Sequence, residues 1–181
     1  MSWFRQPVNG FADYVGFVPG LIVSVVIALV FGGRLARPLR VNRTIAMLLI
    51  LSVGIVLAAT VTPSLEAAMG VPQVDAGCDA SRLGPAPWVA YRTVGDTSLN
   101  VLLFMPLGAV IGVLPRSPYR WPIIVGAVAL PFAIEGLQLV ATPLGRACQS
   151  GDVVDNLTGL FLGLAGALAA GALVRRVRRD A

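Results

Sequence analysis

The residues that could do chemistry in this sequence are polar groups set in apolar surroundings. Glu135 lies within the run from Ala129 to Gln138, whose other members are apolar or glycine apart from Gln138 itself. On a helix, Glu135 and Gln138 project from one face. Pro131, four residues earlier, lacks an N–H and frees the carbonyl of Ala127, which predicts a kink close to the glutamate. A second group follows in Gly145, Arg146, Asp152, Asp155 and Asn156. Asn156 is one helical turn beyond Asp152 on the same face, and Asp155 is close to that face. A third polar stretch, Asp96 to Asn100, precedes the apolar run that contains Phe104, Pro106 and Gly108.

These residue types bound the chemistry. Glu135 and Asp152 are the candidate catalytic residues, as acid or base, and two carboxylates could in principle hold a divalent cation through oxygen ligands. The guanidinium of Arg146 suits a phosphate or carboxylate. Asn100, Gln138 and Asn156 offer amide donors and acceptors. The chain has no histidine, so histidine general-base and histidine–metal chemistry are excluded, and two cysteines are too few for a thiolate-rich metal site. No cofactor and no metal is expected. Neither Cys148 nor Ser150 has an obvious base to activate it. Structural roles compete with these readings: Glu135 could hydrogen-bond a neighbouring helix, and Asp152 could cap the helix that it begins.

The elements that must position these groups follow from hydrophobicity. Of 181 residues, 56% are hydrophobic and only 13% charged, against about 25% charged in an ordinary soluble domain. Mean hydropathy is +0.81. A water-facing shell cannot be built from such a chain, so the expected fold class is all-α, a polytopic transmembrane bundle of five membrane-spanning helices forming a single domain over residues 1–181. The apolar runs place the helices at about 14–33, 44–61, 97–114, 121–141 and 153–174, with a loop at 62–96 that proline and glycine make irregular. The first run is longer than a signal-peptide core and has a weak basic flank, so it reads as a span, with Trp3 and Phe4 at an interface. Strand-like alternation is absent, which argues against a barrel. Gly159, Gly163 and Ala167 form a stripe of small residues suited to close helix packing.

All fourteen basic residues are arginine, and most flank apolar runs. The net charge of +5 therefore reflects membrane orientation rather than nucleic-acid binding. With the N-terminus outside and the C-terminus in the cytoplasm, ten arginines lie inside and only Arg5, Arg82, Arg92 and Arg146 outside. The same orientation puts Cys78 and Cys148 in two outside loops, where a disulfide can persist. A Cys78–Cys148 bridge is expected, the alternative being two unrelated cysteines, since sequence does not itself show connectivity. It also gathers Asn100, Glu135, Gln138, Arg146, Asp152 and Asn156 in the outer half of the bundle, the natural lining of a polar pocket.

The ordered pattern of Asn100, Phe104, Pro106 and Gly108, then Glu135 and Gln138, then Gly145 and Arg146, then Asp152, Asn156, Gly159 and Gly163 resembles the VanZ-like family. The match spans about residues 96 to 167, and the interval from Ala147 to Gly151 departs from the usual pattern. The resemblance implies a small multi-pass protein of the bacterial plasma membrane, in a family whose founding member confers resistance to the glycopeptide teicoplanin. Three functions follow as expectations. The first is binding of a membrane lipid, a lipid-linked cell-wall precursor or a lipoglycopeptide by the six pocket residues. The second is an intramembrane enzyme acting on a lipid-linked substrate through Glu135 and Asp152. The third is a small ion-coupled transporter, for which the inner half of the spans supplies few polar residues. The oligomeric state is left open.

Overall fold

The computed structural model describes residues 16–70 and 77–180. Trp3, Phe4, Arg5 and the expected start of the first span at residue 14 lie outside the described residues.

Among the described residues, five helices are long and apolar enough to cross a bilayer: α1 (Phe17–Leu39), α2 (Arg43–Thr60), α5 (Asp96–Val113), α6 (Arg120–Val140) and α7 (Ser150–Asp180). Between α2 and α5 lie two short helices, α3 (Leu65–Ala68) and α4 (Trp88–Arg92), and a two-residue strand, β1 (Cys78–Asp79). A 3-10 turn (Thr142–Leu144) and a second short strand, β2 (Cys148–Gln149), join α6 to α7. The strands pair in parallel, Cys78 opposite Cys148, and the two cysteines form the expected disulfide.

Two helices run further than the sequence expectation. The first helix continues past Gly33 to Leu39 and includes Arg34 and Arg37, and the last runs from Ser150 to Asp180 rather than from 153 to 174. Hydrophobicity marks the part of a helix that lipid must cover, whereas arginine is a good helix former and continues the coil into water. α1 stops where Arg40 adopts a left-handed conformation, its N–H reaching the carbonyls of Ala36 and Arg37. Asn42 then starts α2, its side chain accepting a hydrogen bond from the Ile45 N–H at 2.9 Å. α5 and α6 run unbroken through Pro106 and Pro131.

Apolar side chains cover the outward surfaces. Val18, Ile22, Val26 and Val30 of α1 are all exposed, as lipid-facing residues are in the absence of lipid. Hydroxyls inside the spans are satisfied within their own helix: Ser24, Ser52 and Thr158 each donate to the carbonyl four residues back at 2.7 Å.

The small residues determine how the helices meet. α1 and α2 are antiparallel, with Gly20 against Ala58 and Gly32 against Met47. α5 and α7 are parallel and nearly touch along their backbones. A Cβ on Gly159 would stand 2.1 Å from the Val101 carbonyl oxygen, one on Gly163 2.0 Å from that of Met105, and one on Gly108 2.0 Å from that of Leu160. The glycines of the expected stripe are therefore architectural, and the signature residue Gly108 faces them from α5. Gly163→Ala is expected to force α5 and α7 apart and lower stability by about 1–3 kcal/mol, the usual cost of overpacking a tight contact. Thermal unfolding in detergent would measure it, and an unchanged midpoint would contradict the contact.

Phe104, Leu107, Ile111, Ile134 and Leu160 fill the core beneath these contacts. The chain alternates direction at each span. One end of the bundle carries the disulfide and the interhelical loops around it, and the opposite end carries the arginines of the α1–α2 bend, Arg116, Arg120 and the end of α7.

Candidate functional site

The backbone contact between α5 and α7 sets the height of the polar groups. Because Val101 lies against Gly159, Asn100 is brought level with the first turns of α7, where Asp152 and Asn156 sit. Asn100 and Asp152 thereby line the same cavity. α7 begins at Ser150, so Asp152 is in its first turn rather than at its cap. There its negative charge complements the positive helix end.

α6 enters from the other side. Glu135 is buried, and its Oε2 accepts a hydrogen bond from the Gln149 backbone N–H at 2.7 Å. The glutamate is thereby tied to β2, which the disulfide holds against β1. This contact supplies the structural partner that the sequence left open, although it is a loop amide rather than a neighbouring helix. One turn on, the Gln138 Nε2 donates to the Thr60 carbonyl at 3.1 Å. Thr60 is the last residue of α2, so Gln138 occupies one of the carbonyls that a helix terminus leaves without an intrahelical partner.

Arg146 serves the same terminus. Its Nε donates to the Thr62 carbonyl at 3.3 Å and its Nη2 to that of Ala59. A guanidinium here satisfies open carbonyls and complements the negative end of the α2 dipole. Because Arg146 anchors the 145–149 loop to α2, its truncation would disturb the frame as well as remove a charge.

Together these elements enclose a cavity of about 260 Å³ at the disulfide end of the bundle. Asn100, Glu135, Gln138, Arg146, Asp152 and Asn156, drawn from α5, α6, the 145–149 loop and α7, all line it. Asp96 and Ser64 also contribute to its wall. Two lining amides are incompletely satisfied: Gln138 Oε1 and Asn156 Oδ1 are buried without a hydrogen-bond partner among the described residues. Leaving such an acceptor unpaired costs about 1–3 kcal/mol, so these atoms mark places where a bound donor would be stabilising. Among the described residues, no group of three or more histidine, cysteine or acidic side chains is arranged to hold a metal.

Asp155, close to Asp152 in sequence, belongs to a different structure. Its carboxylate is fully buried and accepts two hydrogen bonds from Arg82, at 3.0 Å from Nη1 and 2.6 Å from Nη2. The Tyr91 hydroxyl lies 3.5 Å away. Gly151 lets the arginine through, because a Cβ there would meet the Arg82 Nη2 at 2.5 Å. The Ser150 hydroxyl donates to the Arg82 carbonyl at 2.7 Å. Hydrogen bonding to Asp155 raises the Arg82 pKa above the ordinary arginine value. The long loop is thus fixed to α7 both by this ion pair and by the disulfide. Sequence reading counted Arg82 only as a loop charge and missed the pair, since nothing local relates positions 82 and 155. The only available signal was an aspartate too deep in the helix for its first turn to explain.

No curated protein and no solved structure matches this chain. The family model described as VanZ/LLP1 matches residues 47–171, well over half of the chain and every residue lining the cavity. With the five spans and the glycine-packed α5–α7 pair in place, the chain belongs to the VanZ/LLP1 family.

Proposed function

We propose that this protein is a binding protein of the bacterial cell envelope, whose polar cavity faces the outer leaflet of the plasma membrane and takes the head group of a lipid, a lipid-linked cell-wall component or a lipoglycopeptide. The observation that carries this reading is the convergence of six polar side chains from four chain segments on one cavity within an otherwise apolar bundle. Polar groups at this depth are expensive, and helix packing alone requires few of them. The orientation rests on the arginines, ten of which crowd the end of the bundle opposite the cavity. A cysteine introduced by Val41→Cys in the α1–α2 bend is expected to resist a membrane-impermeant maleimide in intact cells and to react after permeabilisation. Labelling in intact cells would reverse the orientation.

Binding is favoured over transport because the layer next to the cavity is closed: Leu103, Phe104 and Ile134 are all buried. The enzyme reading retains one observation, that Glu135 and Asp152 line the same cavity. One pair of variants addresses both. Glu135→Gln and Asp152→Asn are expected to lose most of the lipid that co-purifies after mild detergent extraction, and to alter glycopeptide susceptibility in a teicoplanin-type assay. Unchanged lipid content together with unchanged susceptibility would remove the binding reading. Loss of turnover of a lipid-linked substrate in folded Glu135→Gln protein would establish the enzyme instead.

A further inference from the structure

The chemistry of the cavity wall is specific about what it lacks. Asp96, Glu135 and Asp152 line it, and among the described residues its one basic lining group is Arg146, whose guanidinium bonds the carbonyls of Ala59 and Thr62. Asp155 is outside this balance because Arg82 pairs with it. Three acidic side chains against one base leave the wall short of positive charge. The two incompletely satisfied amides are short of the same partner. Gln138 is oriented by its Nε2 bond to Thr60, which turns Oε1 away from that carbonyl with no donor among the described residues to meet it, and the residue is only 7% exposed. Asn156 is only 1% exposed, and among the described residues its Oδ1 is likewise without a donor. Both side chains line the cavity. A ligand that satisfies this wall must therefore bring positive charge and several N–H donors in a small volume.

We infer that the cavity recognises the primary ammonium of an amine-bearing phospholipid head group of the ethanolamine type, with Gln138 Oε1, Asn156 Oδ1 and the neighbouring carboxylates as its acceptors. The inference rests on the binding reading above and names the ligand class for it. A primary ammonium has three N–H donors and one positive charge, whereas a choline head group has the charge and no donor. A glycerol head group has donors on an anionic lipid, which the carboxylates disfavour. The phosphate of the same zwitterion would lie toward Arg146, which supplies positive charge at the cavity wall.

The experiment uses the full chain, delipidated in detergent and then offered equimolar phosphatidylethanolamine, its mono- and dimethylated forms, phosphatidylcholine and phosphatidylglycerol, all with the same acyl chains. Retained lipid is counted by mass spectrometry. Phosphatidylethanolamine is expected to be retained about tenfold over phosphatidylcholine, with a stepwise fall as each methyl group replaces an N–H. Asn156→Leu and Gln138→Met should bring the two to parity. The methylation series needs no variant, so it decides the matter even if a substitution fails to fold. Soluble glycerophosphoethanolamine should compete, and glycerophosphocholine should not, if the head group rather than the lipid surface is read. Equal retention across the series, or a preference for phosphatidylglycerol, overturns the ammonium assignment. The binding reading survives that outcome if Glu135→Gln still reduces retention, and falls with it if no lipid is retained at all.

Discussion

Arg82→Ala is expected to destabilise the folded protein by about 3–5 kcal/mol, because removing one partner of a buried ion pair strands the other charge. Asp155 is completely inaccessible, and Arg82 is the partner that neutralises it, through two hydrogen bonds. Asp155→Asn in the Arg82→Ala background should recover a large part of the loss, since an amide is far cheaper to bury than a lone carboxylate. The two substitutions would then be strongly non-additive, as expected of residues in direct contact. Thermal or denaturant unfolding in detergent micelles gives all four corners of this cycle. If Arg82→Ala melts at the wild-type midpoint, the bridge does not hold the loop.

Loss of the disulfide is the second large effect. Cys78 and Cys148 are separated by 70 residues, and their bond encloses both α5 and α6. A crosslink closing a loop of this size typically contributes about 2–4 kcal/mol, chiefly by restricting the unfolded chain. Cys148→Ser, or reduction of the wild type, should lower stability by that amount. It should also loosen the contact between Gln149 and Glu135, because Gln149 directly follows the bridged cysteine in β2. The readout is therefore double: a lower melting temperature, and weaker lipid retention at the cavity. A reduced protein that melts unchanged would mean that the Arg82–Asp155 pair alone secures the loop.

The ion pair and the disulfide belong to one mechanical arrangement. The loop is attached to α7 at two points, and α7 is held against α5 by glycines that allow backbone contact. The cavity lies where these attachments meet the ends of α2 and α6. Its shape depends on backbone groups as much as on side chains: the Thr60 carbonyl orients Gln138, the Gln149 N–H holds Glu135, and the α2 terminus engages Arg146.

Much of this was legible in the amino-acid sequence, for reasons that are local or additive. Lipid penalises every exposed polar group, so five apolar runs could become little other than spans, and their middles were easy to place. Glu135, Gln138, Asp152 and Asn156 stood out because a polar residue in such a run has a cost that composition alone makes visible. The spacing of Gly159 and Gly163 marked a packing face, and arginine placement put both cysteines at one end of the bundle. What lay beyond reach depended on partners far apart in the chain. That Asp155 belongs to Arg82 and not to the cavity, that Arg146 closes the α2 terminus, and that Gln138 and Asn156 keep oxygens unpaired all follow from contacts across 70 residues or more, or from how four helix ends are set against one another. The sequence alone determined which residues must avoid lipid, because that cost attaches to each residue separately; only the tertiary structure decided which of them satisfy one another and which are left for a ligand, because hydrogen bonding is a property of pairs.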